Sequence, residues 1–432
     1  MSRVHVVGGG LAGLAAALRC ADAGHDVTIY EAAAQLGGRC RSFFDPGLDR
    51  TIDNGAHVLI GANRHALAFL ARLGTDARLQ AVSRVPMADV ATGEHWTVRL
   101  DSGPAGCLRP EHVLGVPGAR PIESLALLRL ATAGSRATVA ALCWTDDALY
   151  RRFLRPLALA ALNTPPETGT AALLGAVLRR SLLGGRSAAA ILVAPDGLSA
   201  TFVAPAERAL AAAGAQIRLA QRLRALETRA GGCVALDFGG RQVTVGRDER
   251  VILAVPPAAA RALLPDLTVP DGSHAIVNVH YRLDRPATLA GGASVLGVVG
   301  GTAEWLFARG DVLTVTVSAA DRLLDRPAER LAGTIWAETR SLLQDPPENP
   351  LAWRCLKERR ATFAQTPANL RRRPGVRTPI ANLFLAGDWT ATGLPATIEG
   401  SVLSGVRAAA LAVGRTRAAT FKTGAPALSP RS

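Results

Sequence analysis

The chain has 432 residues, 49% of them hydrophobic, which is enough to bury a sizeable core in two domains. Its formal net charge of +14 suggests a polyanionic partner, but only 4% of the residues are aromatic and no basic run is interleaved with aromatics, so nucleic acid is not expected. The six cysteines form no CxxC pair, so no zinc, other metal or dithiol site is predicted, and a cytoplasmic, reducing compartment fits.

The N-terminal residues predict a strand, a glycine-rich turn, a helix and a second strand. The apolar run at 4–7 is typical of a buried strand, residues 11–23 carry a helical pattern that Gly24 ends, and residues 26–30 supply the next strand. Together they form a βαβ unit. An arginine followed by apolar residues superficially resembles a signal peptide, but the glycines fall at nucleotide-binding spacing, so we expect this segment to be retained.

The chain after residue 80 has a different composition and predicts a second domain, to which later segments also contribute. The predicted helices are 122–142, 147–162, 205–213 and 398–413, and the predicted strands are 217–226, 233–238, 242–245, 251–255, 275–283, 294–299, 304–307, 312–318 and 383–386. Apolar runs are interrupted by Arg, Asp or Pro before they reach about 18 residues, so no membrane-spanning helix is expected.

Three glycines follow the first strand at the spacing G-x-G-x-x-G. Gly8 permits a tight turn, Gly10 lets backbone N–H groups approach a pyrophosphate, and Gly13 allows the helix to pack closely on the strand. Leu11 and Ala12 begin this helix, whose positive N-terminus faces the phosphates. Strand, turn and helix in this order predict a dinucleotide site.

An acidic residue and a glycine pair extend the predicted site. Glu31 ends the second strand, where a carboxylate accepts hydrogen bonds from ribose hydroxyls, and Ala32 follows it. Gly37 and Gly38 allow a second close approach of the backbone, and the Arg39 guanidinium can bind phosphate or the flavin edge. This extension favours FAD over NAD.

With these motifs the chain resembles the superfamily of flavin-dependent amine oxidases and carotenoid desaturases, whose dinucleotide unit continues into the same Gly-Gly-Arg stretch. Near the C-terminus, residues 385–389 and 393–401 look like the second flavin motif of that superfamily. The resemblance implies that Asp388 accepts a hydrogen bond from the ribityl chain. It also implies that the last helix begins beside the flavin, with its positive end toward the ring.

More narrowly, the chain resembles the hydroxysqualene dehydroxylases, also called squalene-associated FAD-dependent desaturases. The matching stretches are 52–57, 156–164, 360–363 and 386–400, although Ala56 stands where that group usually has Gln. Membership implies reductive removal of the hydroxyl of hydroxysqualene to give squalene, a step that feeds hopanoid synthesis in bacteria. A reduced flavin can donate hydride to an allylic cation, and an acid must help the hydroxyl to leave.

The resemblance also implies which residues form the site. Asp53 and His57 are the candidates for catalysis, because the loop that holds them lies close to the flavin in the family. The implied FAD contacts are Gly8, Gly10, Leu11, Ala12, Gly13, Glu31, Ala32, Gly37, Gly38, Arg39, Gly55, Ala56, His57, Leu223, Gly387, Asp388, Thr397 and Ile398.

The predicted fold class is α/β, with the two-domain architecture of amine oxidases. The expected parts are a Rossmann-like FAD-binding domain from residues 1–80, 190–262 and 380–413, a mixed α+β substrate domain with membrane-facing helices from residues 81–189 and 263–379, and a disordered tail at 414–432.

Other functions remain open at this point. An amine oxidase is disfavoured for two reasons. Those enzymes have a Tyr as one wall of an aromatic cage around the substrate nitrogen, and Thr397 stands at that position here. They also tend to use a lysine near flavin N5 from the middle of the chain, whereas the only lysines here are Lys357 and Lys422. A polyprenoid desaturase acting on squalene or a carotenoid stays open, since cofactor motifs do not report the direction of electron flow. A non-catalytic flavin-binding partner of prenyl synthases is a third reading.

A C30 substrate is insoluble in water, so we expect peripheral docking on the anionic inner face of the cell membrane, where each arginine adds about 1 kcal/mol. The basic loop at 371–373, with apolar residues of the helical layer, is the expected contact. An electron donor to FAD, which the sequence does not identify, is also expected, together with prenyl synthase partners.

Overall fold

The structure is a computed structural model that describes residues 2–100 and 113–414. Its strands are β1 (Arg3–Val7), β2 (Asp26–Tyr30), β3 (Ser42–Asp45), β4 (Arg50–Asp53), β5 (Leu59–Ile60), β6 (Gln80–Val82), β7 (Arg84–Asp89), β8 (Glu94–Arg99), β9 (Ile191–Val193), β10 (Gln216–Arg218), β11 (Ala225–Arg229), β12 (Gly232–Asp237), β13 (Gln242–Thr244), β14 (Arg250–Leu253), β15 (Ser273–Arg282), β16 (Val295–Val299), β17 (Trp305–Arg309), β18 (Val312–Val317), β19 (Ala352–Phe363) and β20 (Leu383–Leu385). Its α-helices are α1 (Leu11–Asp22), α2 (Arg64–Leu73), α3 (Leu125–Ala131), α4 (Arg155–Leu162), α5 (Ala171–Arg180), α6 (Arg186–Ala189), α7 (Ala204–Ala212), α8 (Pro257–Leu263), α9 (Ala328–Thr339), α10 (Pro367–Arg371) and α11 (Ile398–Ala412). The predicted tail, apart from Gly414, lies outside the described residues.

Five parallel strands form the sheet that carries the glycine-rich turn, in the order β10-β2-β1-β14-β20. Its strands are rich in Val, Ile and Leu because both faces are covered. Val6 and Ile252 face α1 and α11, whereas Val7 and Leu253 face the antiparallel sheet β11-β12-β13. After β2 the chain leaves this sheet and returns to it three times, as β10, β14 and β20, which brings the N-terminal turn and the C-terminal motif together.

A second, seven-stranded sheet has the strand order β19-β15-β18-β17-β16-β7-β8. Neighbouring strands run antiparallel, except for β7 and β16, which are parallel. Val277 and Val279 pack toward α9. Asn278 and His280 alternate with them and therefore face the opposite side. On that side, residues of β7 and β17 pack against the helical cluster α3, α4 and α5.

Two predicted elements are wrong in extent. The predicted helix covers 122–142, but the helix α3 ends at Ala131. The Thr132 hydroxyl donates to the Leu128 carbonyl, and the next residues include Gly134 and Ser135, which favour turns. Instead of a strand over 217–226, two short strands, β10 and β11, flank a turn in which Ala220 has a φ of +55°.

Several elements were not predicted, among them the β3–β4 hairpin, α2, the β7–β8 hairpin, α9 and β19. The long strand β19 is rich in charged residues, and its strand conformation comes from nine paired positions with β15 rather than from its own pattern. The domain limits at 80, 190, 262 and 380 stay a prediction. Within the described ranges, no helix combines the length and the apolar character that crossing a bilayer requires.

Candidate active site

The turn between β1 and α1 leaves room at the position where the fingerprint predicts a pyrophosphate. Gly8 has a φ of +108°, and a Cβ on it would lie 2.3 Å from the carbonyl oxygen of Ala254. A Cβ on Gly13 would lie 1.9 Å from the carbonyl oxygen of Gly8, so α1 packs directly on the turn. A Cβ on Gly10 would meet no protein atom within 4 Å. Packing explains the first two glycines, whereas Gly10 fits a ligand that approaches the backbone.

Glu31 and the glycine pair lie against this turn. The Glu31 carboxylate accepts from the N–H of Gly9 at 2.6 Å and from the N–H of Ala33 at 2.8 Å, which leaves lone pairs for a ribose hydroxyl. Gly37 has a φ of +102° and Gly38 a φ of +58°, and the Gly37 N–H donates to the Gly9 carbonyl at 2.8 Å. The two glycine stretches predicted from the sequence are therefore in direct contact.

Four further predicted contact residues surround this turn. Leu11 and Ala12 are buried in the first turn of α1, and Ala32 is exposed beside Glu31. The Leu223 side chain packs with Tyr30 in an apolar cluster, so this residue can offer a nucleotide little beyond its backbone.

Arg39 joins the two predicted motifs. Its Nη2 donates to Asp388 Oδ2 at 2.6 Å, and its Nη1 donates to the carbonyl of Ala361 at 2.5 Å. The Asp388 side chain is 6% exposed and that of Arg39 is 45% exposed, so the pair lies at the edge of the interior. The preceding residue of the motif, Gly387, donates its N–H to Ser404 Oγ at 2.8 Å.

Arg373 organises the loop of the second motif, a role that its sequence position did not indicate. Its guanidinium donates to the carbonyls of Asp388 and Thr390 at 2.8 Å, to the carbonyl of Leu394 at 2.7 Å and to Thr392 Oγ1 at 2.8 Å. Burial lowers the pKa of Arg373 to about 10, while the charge of Asp388 opposes that shift. The prediction that places this arginine in a membrane-facing loop is wrong, because its side chain lies in the interior.

The helix α11 begins at the second motif. Thr397 caps it by accepting from the Gly400 N–H at 3.3 Å, and Ile398 is its first residue. The helix crosses α1 at close range, because a Cβ on Gly405 would lie 2.1 Å from the carbonyl oxygen of Ala12. The two helices that carry the nucleotide motifs therefore form one packed unit.

Asp53, at the end of β4, is held by donors from three separate segments. Ser42 Oγ lies 2.5 Å and the Leu198 N–H lies 3.0 Å from Oδ1, and Arg309 Nη1 lies 2.6 Å from Oδ2. Its side chain is 14% exposed. Arg309 belongs to β17, so this carboxylate ties the β3–β4 hairpin to the seven-stranded sheet. A carboxylate that is ion-paired and accepts three hydrogen bonds is better suited to positioning than to proton donation.

The rest of the loop predicted to contact the flavin lies against β15. Gly55 is buried, and a Cβ on it would lie 3.1 Å from Asn278 Nδ2. This amide donates to the Asn54 carbonyl at 3.4 Å and accepts from Thr316 Oγ1 at 2.7 Å. Asn278, which the sequence reasoning missed, thus fixes the loop through a polar chain on the seven-stranded sheet.

Ala56 and His57 are half-buried in the same loop. Although part of the His57 surface is accessible, burial lowers the pKa of its imidazole, and the charge of Asp53 opposes that shift. Its ring makes no hydrogen bond to any residue within the described ranges. A neutral imidazole at pH 7 is a poor proton donor.

The family model described as flavin containing amine oxidoreductase matches residues 11–413. The chain belongs to this family. It is 46% identical to a hydroxysqualene dehydroxylase of Sinorhizobium fredii and 44% identical to one of Rhodopseudomonas palustris, with 96% of this chain and 99% of each relative covered. It is 24% identical to a 15-cis-phytoene desaturase of Synechococcus elongatus, with 96% of both chains covered.

Among solved structures, an oxidoreductase from Methanosarcina mazei superposes with a TM-score of 0.71 at 17% identity, covering 94% of this chain and 99% of that one. This similarity shows a shared fold. The predicted α/β fold class, the family resemblance and the FAD-dependent oxidoreductase class are confirmed.

FAD is the cofactor of this flavoprotein, and the residues present fit it. The space beside Gly10 suits the pyrophosphate, and Glu31 retains acceptor capacity for the ribose. Arg39 and Asp388, which lie together, would contact the central part of the cofactor, and the N-terminus of α11 would face the flavin. These assignments stay predictions residue by residue.

One further carboxyl on the seven-stranded sheet holds its proton unusually well. Glu304 directly precedes β17, its N–H donates to the Thr316 carbonyl at 3.3 Å, and its Oε2 accepts from the Ser318 N–H at 2.8 Å. Burial raises the pKa of Glu304 to about 7, while the Ser318 hydrogen bond and the charges of Arg322 and Arg155 oppose that shift. The residue as a whole is half-buried.

The raised pKa of Glu304 predicts a pH-dependent stability. The folded protein binds one more proton than the unfolded chain between pH 4.5 and about 7, so stability falls as pH rises through this interval. We expect Glu304→Gln to remove roughly 1–3 kcal/mol of that fall, measured by denaturant unfolding across the interval. Exposed Glu348→Gln is the control and should leave the slope unchanged; equal slopes for all three proteins would contradict this account.

The three contacts of the Asp53 carboxylate, which we call the Asp53 clamp, predict a loss of stability when the charge of Asp53 is removed. Asp53→Asn removes the ion pair with Arg309, and the NH₂ group of the new amide faces hydrogen-bond donors rather than acceptors. We therefore expect a loss of about 1–3 kcal/mol in the free energy of unfolding. The exposed Asp248→Asn should change it by less than about 0.5 kcal/mol. A clamp role would be refuted by equal denaturation midpoints for these two variants.

Proposed function

We propose that this protein removes the hydroxyl group of hydroxysqualene reductively and releases squalene. The observation that carries the proposal is the near-full-length similarity to curated hydroxysqualene dehydroxylases, set against the much lower identity to a phytoene desaturase. The squalene would then feed a cyclisation route such as hopanoid synthesis. A substrate of this kind also favours a peripheral membrane location.

Two contacts argue against amine oxidation. The Thr397 hydroxyl is engaged in capping α11, so this position offers no wall of an aromatic cage. Lys357 donates to the backbone carbonyls of Leu324 at 2.8 Å and Arg326 at 2.5 Å, which holds its ammonium group against the segment before α9. Lys422 lies outside the described residues. An apolar substrate without an amine fits this set of contacts better.

The reaction needs one proton and one hydride for each hydroxyl removed. The C–O bond of the allylic alcohol breaks, the hydroxyl leaves as water after protonation, and a new C–H bond forms on the carbon chain. Reduced FAD, when bound, supplies hydride chemistry. Of the three acid candidates, Asp53 is ion-paired with Arg309 and His57 is neutral at pH 7, whereas burial raises the pKa of Glu304 to about 7.

As part of this proposal we assign the proton to Glu304, and we expect Glu304→Gln to slow squalene formation by about 100-fold at pH 7, because a removed general acid costs roughly that factor. The measurement is the single-turnover rate with chemically reduced protein across pH 5.5–8.5. Glu348→Gln is the matched control. A Glu304→Gln variant that keeps the parent rate and pH profile would assign the proton to another group.

The function itself is tested by product analysis under two redox conditions. Anaerobically reduced protein is incubated with hydroxysqualene, and oxidised protein with squalene, and the lipids are identified by mass spectrometry. The proposal predicts squalene from the reduced protein alone. Dehydrogenated products from the oxidised protein would favour the polyprenoid desaturase, and a redox-active flavin that converts neither C30 lipid would favour a non-catalytic partner of prenyl synthases.

The electron donor that reduces FAD, any contact with prenyl synthases, and binding to the inner face of the membrane remain parts of this proposal. A pull-down on the FAD-loaded protein, with the reduced nicotinamide cofactors tested as direct donors in parallel, separates a dedicated protein donor from a small-molecule one. Flavin reduction by NADH or NADPH alone would remove the need for a protein donor.

A further inference from the structure

We propose that the exposed apolar side of α3 and its flanking turn inserts into the headgroup region of an anionic lipid bilayer. This surface, named the α3 face, consists of Ile122, Leu125, Leu128 and Trp144, whose exposed fractions are 55%, 43%, 54% and 43%. The proposal rests on the proposed function in one respect, namely that a water-insoluble substrate has to be drawn from a membrane.

The spacing of the α3 face is that of one side of a helix. Ile122, Leu125 and Leu128 follow one another at intervals of three residues, whereas Leu127 and Leu130 point inward and are buried. The helix is thus apolar on its inner and outer sides. Exposed branched side chains grouped in this way mark an interaction surface, whereas single exposed apolar residues do not.

The charges around the α3 face identify the occupant as an anionic lipid surface. Between residues 120 and 155 the sequence has six arginines and three acidic residues. The Arg129 guanidinium lies 5.2 Å from the centre of the Trp144 ring and is exposed. The Arg120 side chain is 68% exposed but ion-paired with Glu123 and Asp147, so the excess positive charge comes from the other arginines. An apolar stripe with an interfacial tryptophan and a basic rim is the pattern of a helix that lies in the plane of a membrane interface.

The position of α3 also connects the surface with the interior. A Cβ on Gly175 would lie 2.0 Å from the carbonyl oxygen of Leu130, so α3 rests directly on α5. The cluster of α3, α4 and α5 covers the side of the seven-stranded sheet that also holds Trp305. A bilayer at the α3 face would therefore contact the helical layer that lies over the side of the sheet where Asn278 holds the Gly55 loop, which suits uptake of a lipid.

The test is vesicle flotation of the FAD-loaded protein without substrate. Vesicles contain phosphatidylcholine alone or phosphatidylcholine mixed with phosphatidylglycerol. The test variant is Ile122→Ser/Leu125→Ser/Leu128→Ser. Its matched control, Phe44→Ser/Leu219→Ser/Leu351→Ser, replaces three apolar residues that are also exposed but lie elsewhere. We expect the parent and the control to bind the anionic vesicles, and the test variant to lose at least about 10-fold in partition coefficient.

A second measurement keeps the α3 face apolar and needs one conservative substitution. Brominated lipids should quench the fluorescence of the parent protein more than that of Trp144→Phe. Equal flotation of the test and control variants, or no flotation of the parent, would overturn the proposal. So would a parent dimer that the test variant disperses, because the α3 face would then bind a second copy. Turnover is assayed separately in detergent micelles, so failure to bind vesicles and failure to make squalene remain distinguishable.

Discussion

The Gly10→Val variant is expected to fold but to purify without flavin. A Cβ at this position meets no protein atom within 4 Å, so the side chain costs the fold little. The same side chain occupies the space that the pyrophosphate needs, and it keeps the backbone N–H groups away from the phosphates. We expect FAD affinity to fall by at least about 100-fold, because a clash and several lost charge-assisted hydrogen bonds act together.

The measurement is the flavin absorbance of the purified protein, followed by titration of the apoprotein with FAD. Gly333→Val is the matched control, because Gly333 is exposed in α9 and a Cβ on it also meets no atom within 4 Å. Circular dichroism reports whether each variant folds. A folded Gly10→Val protein that binds FAD as tightly as the control would place the pyrophosphate elsewhere.

Replacement of Arg373 by Met is expected to cause the largest loss of stability. The substitution removes four hydrogen bonds that the guanidinium donates in the interior, and it leaves the Asp388 carbonyl without another donor among the described residues. The Thr390 carbonyl still accepts from the Thr392 N–H at 2.7 Å, and the Leu394 carbonyl from Thr392 Oγ1 at 3.3 Å. One unpaired buried acceptor and the loss of a buried network of charged hydrogen bonds should lower the free energy of unfolding by about 3–5 kcal/mol. The loop from Asp388 to Leu394 would also lose its shape, so flavin binding should weaken.

The neighbouring Arg371→Met provides the control. Arg371 is exposed at the end of α10 and has no hydrogen bond or ion pair within the described part of the chain, so we expect a change below about 0.5 kcal/mol. Urea unfolding of both apoproteins separates stability from cofactor binding. Equal midpoints for the two variants would mean that the hydrogen bonds of Arg373 contribute nothing net.

The nucleotide motifs could be predicted because their chemistry is local. Gly8 and Gly13 are required by contacts within one strand-turn-helix unit, and Glu31 follows at the end of the next strand. The fold class followed from the same elements. The contact of Gly37 with the turn was foreseeable for the same reason, since only short stretches of chain separate these residues.

Residues whose roles depend on distant partners could not be predicted. Arg373 stands in a run of three arginines, and only the folded chain shows that one of them is enclosed by the 388–394 loop. Asp53 was foreseen as part of the site, but its partner Arg309 lies on a strand 256 positions away. Glu304 resembles an ordinary surface acid until the surrounding protein raises its pKa.

The central claim is that the enzyme works as a reductase on a prenoid alcohol, and isotope incorporation tests it most directly. Protein reduced anaerobically in D₂O, so that the transferable hydride position exchanges with solvent, is given unlabelled hydroxysqualene, and the product is analysed by mass spectrometry. We predict squalene that carries one deuterium on its carbon chain. Recovery of unchanged hydroxysqualene from reduced, FAD-loaded protein, together with desaturated products when oxidised protein receives squalene, would contradict the claim.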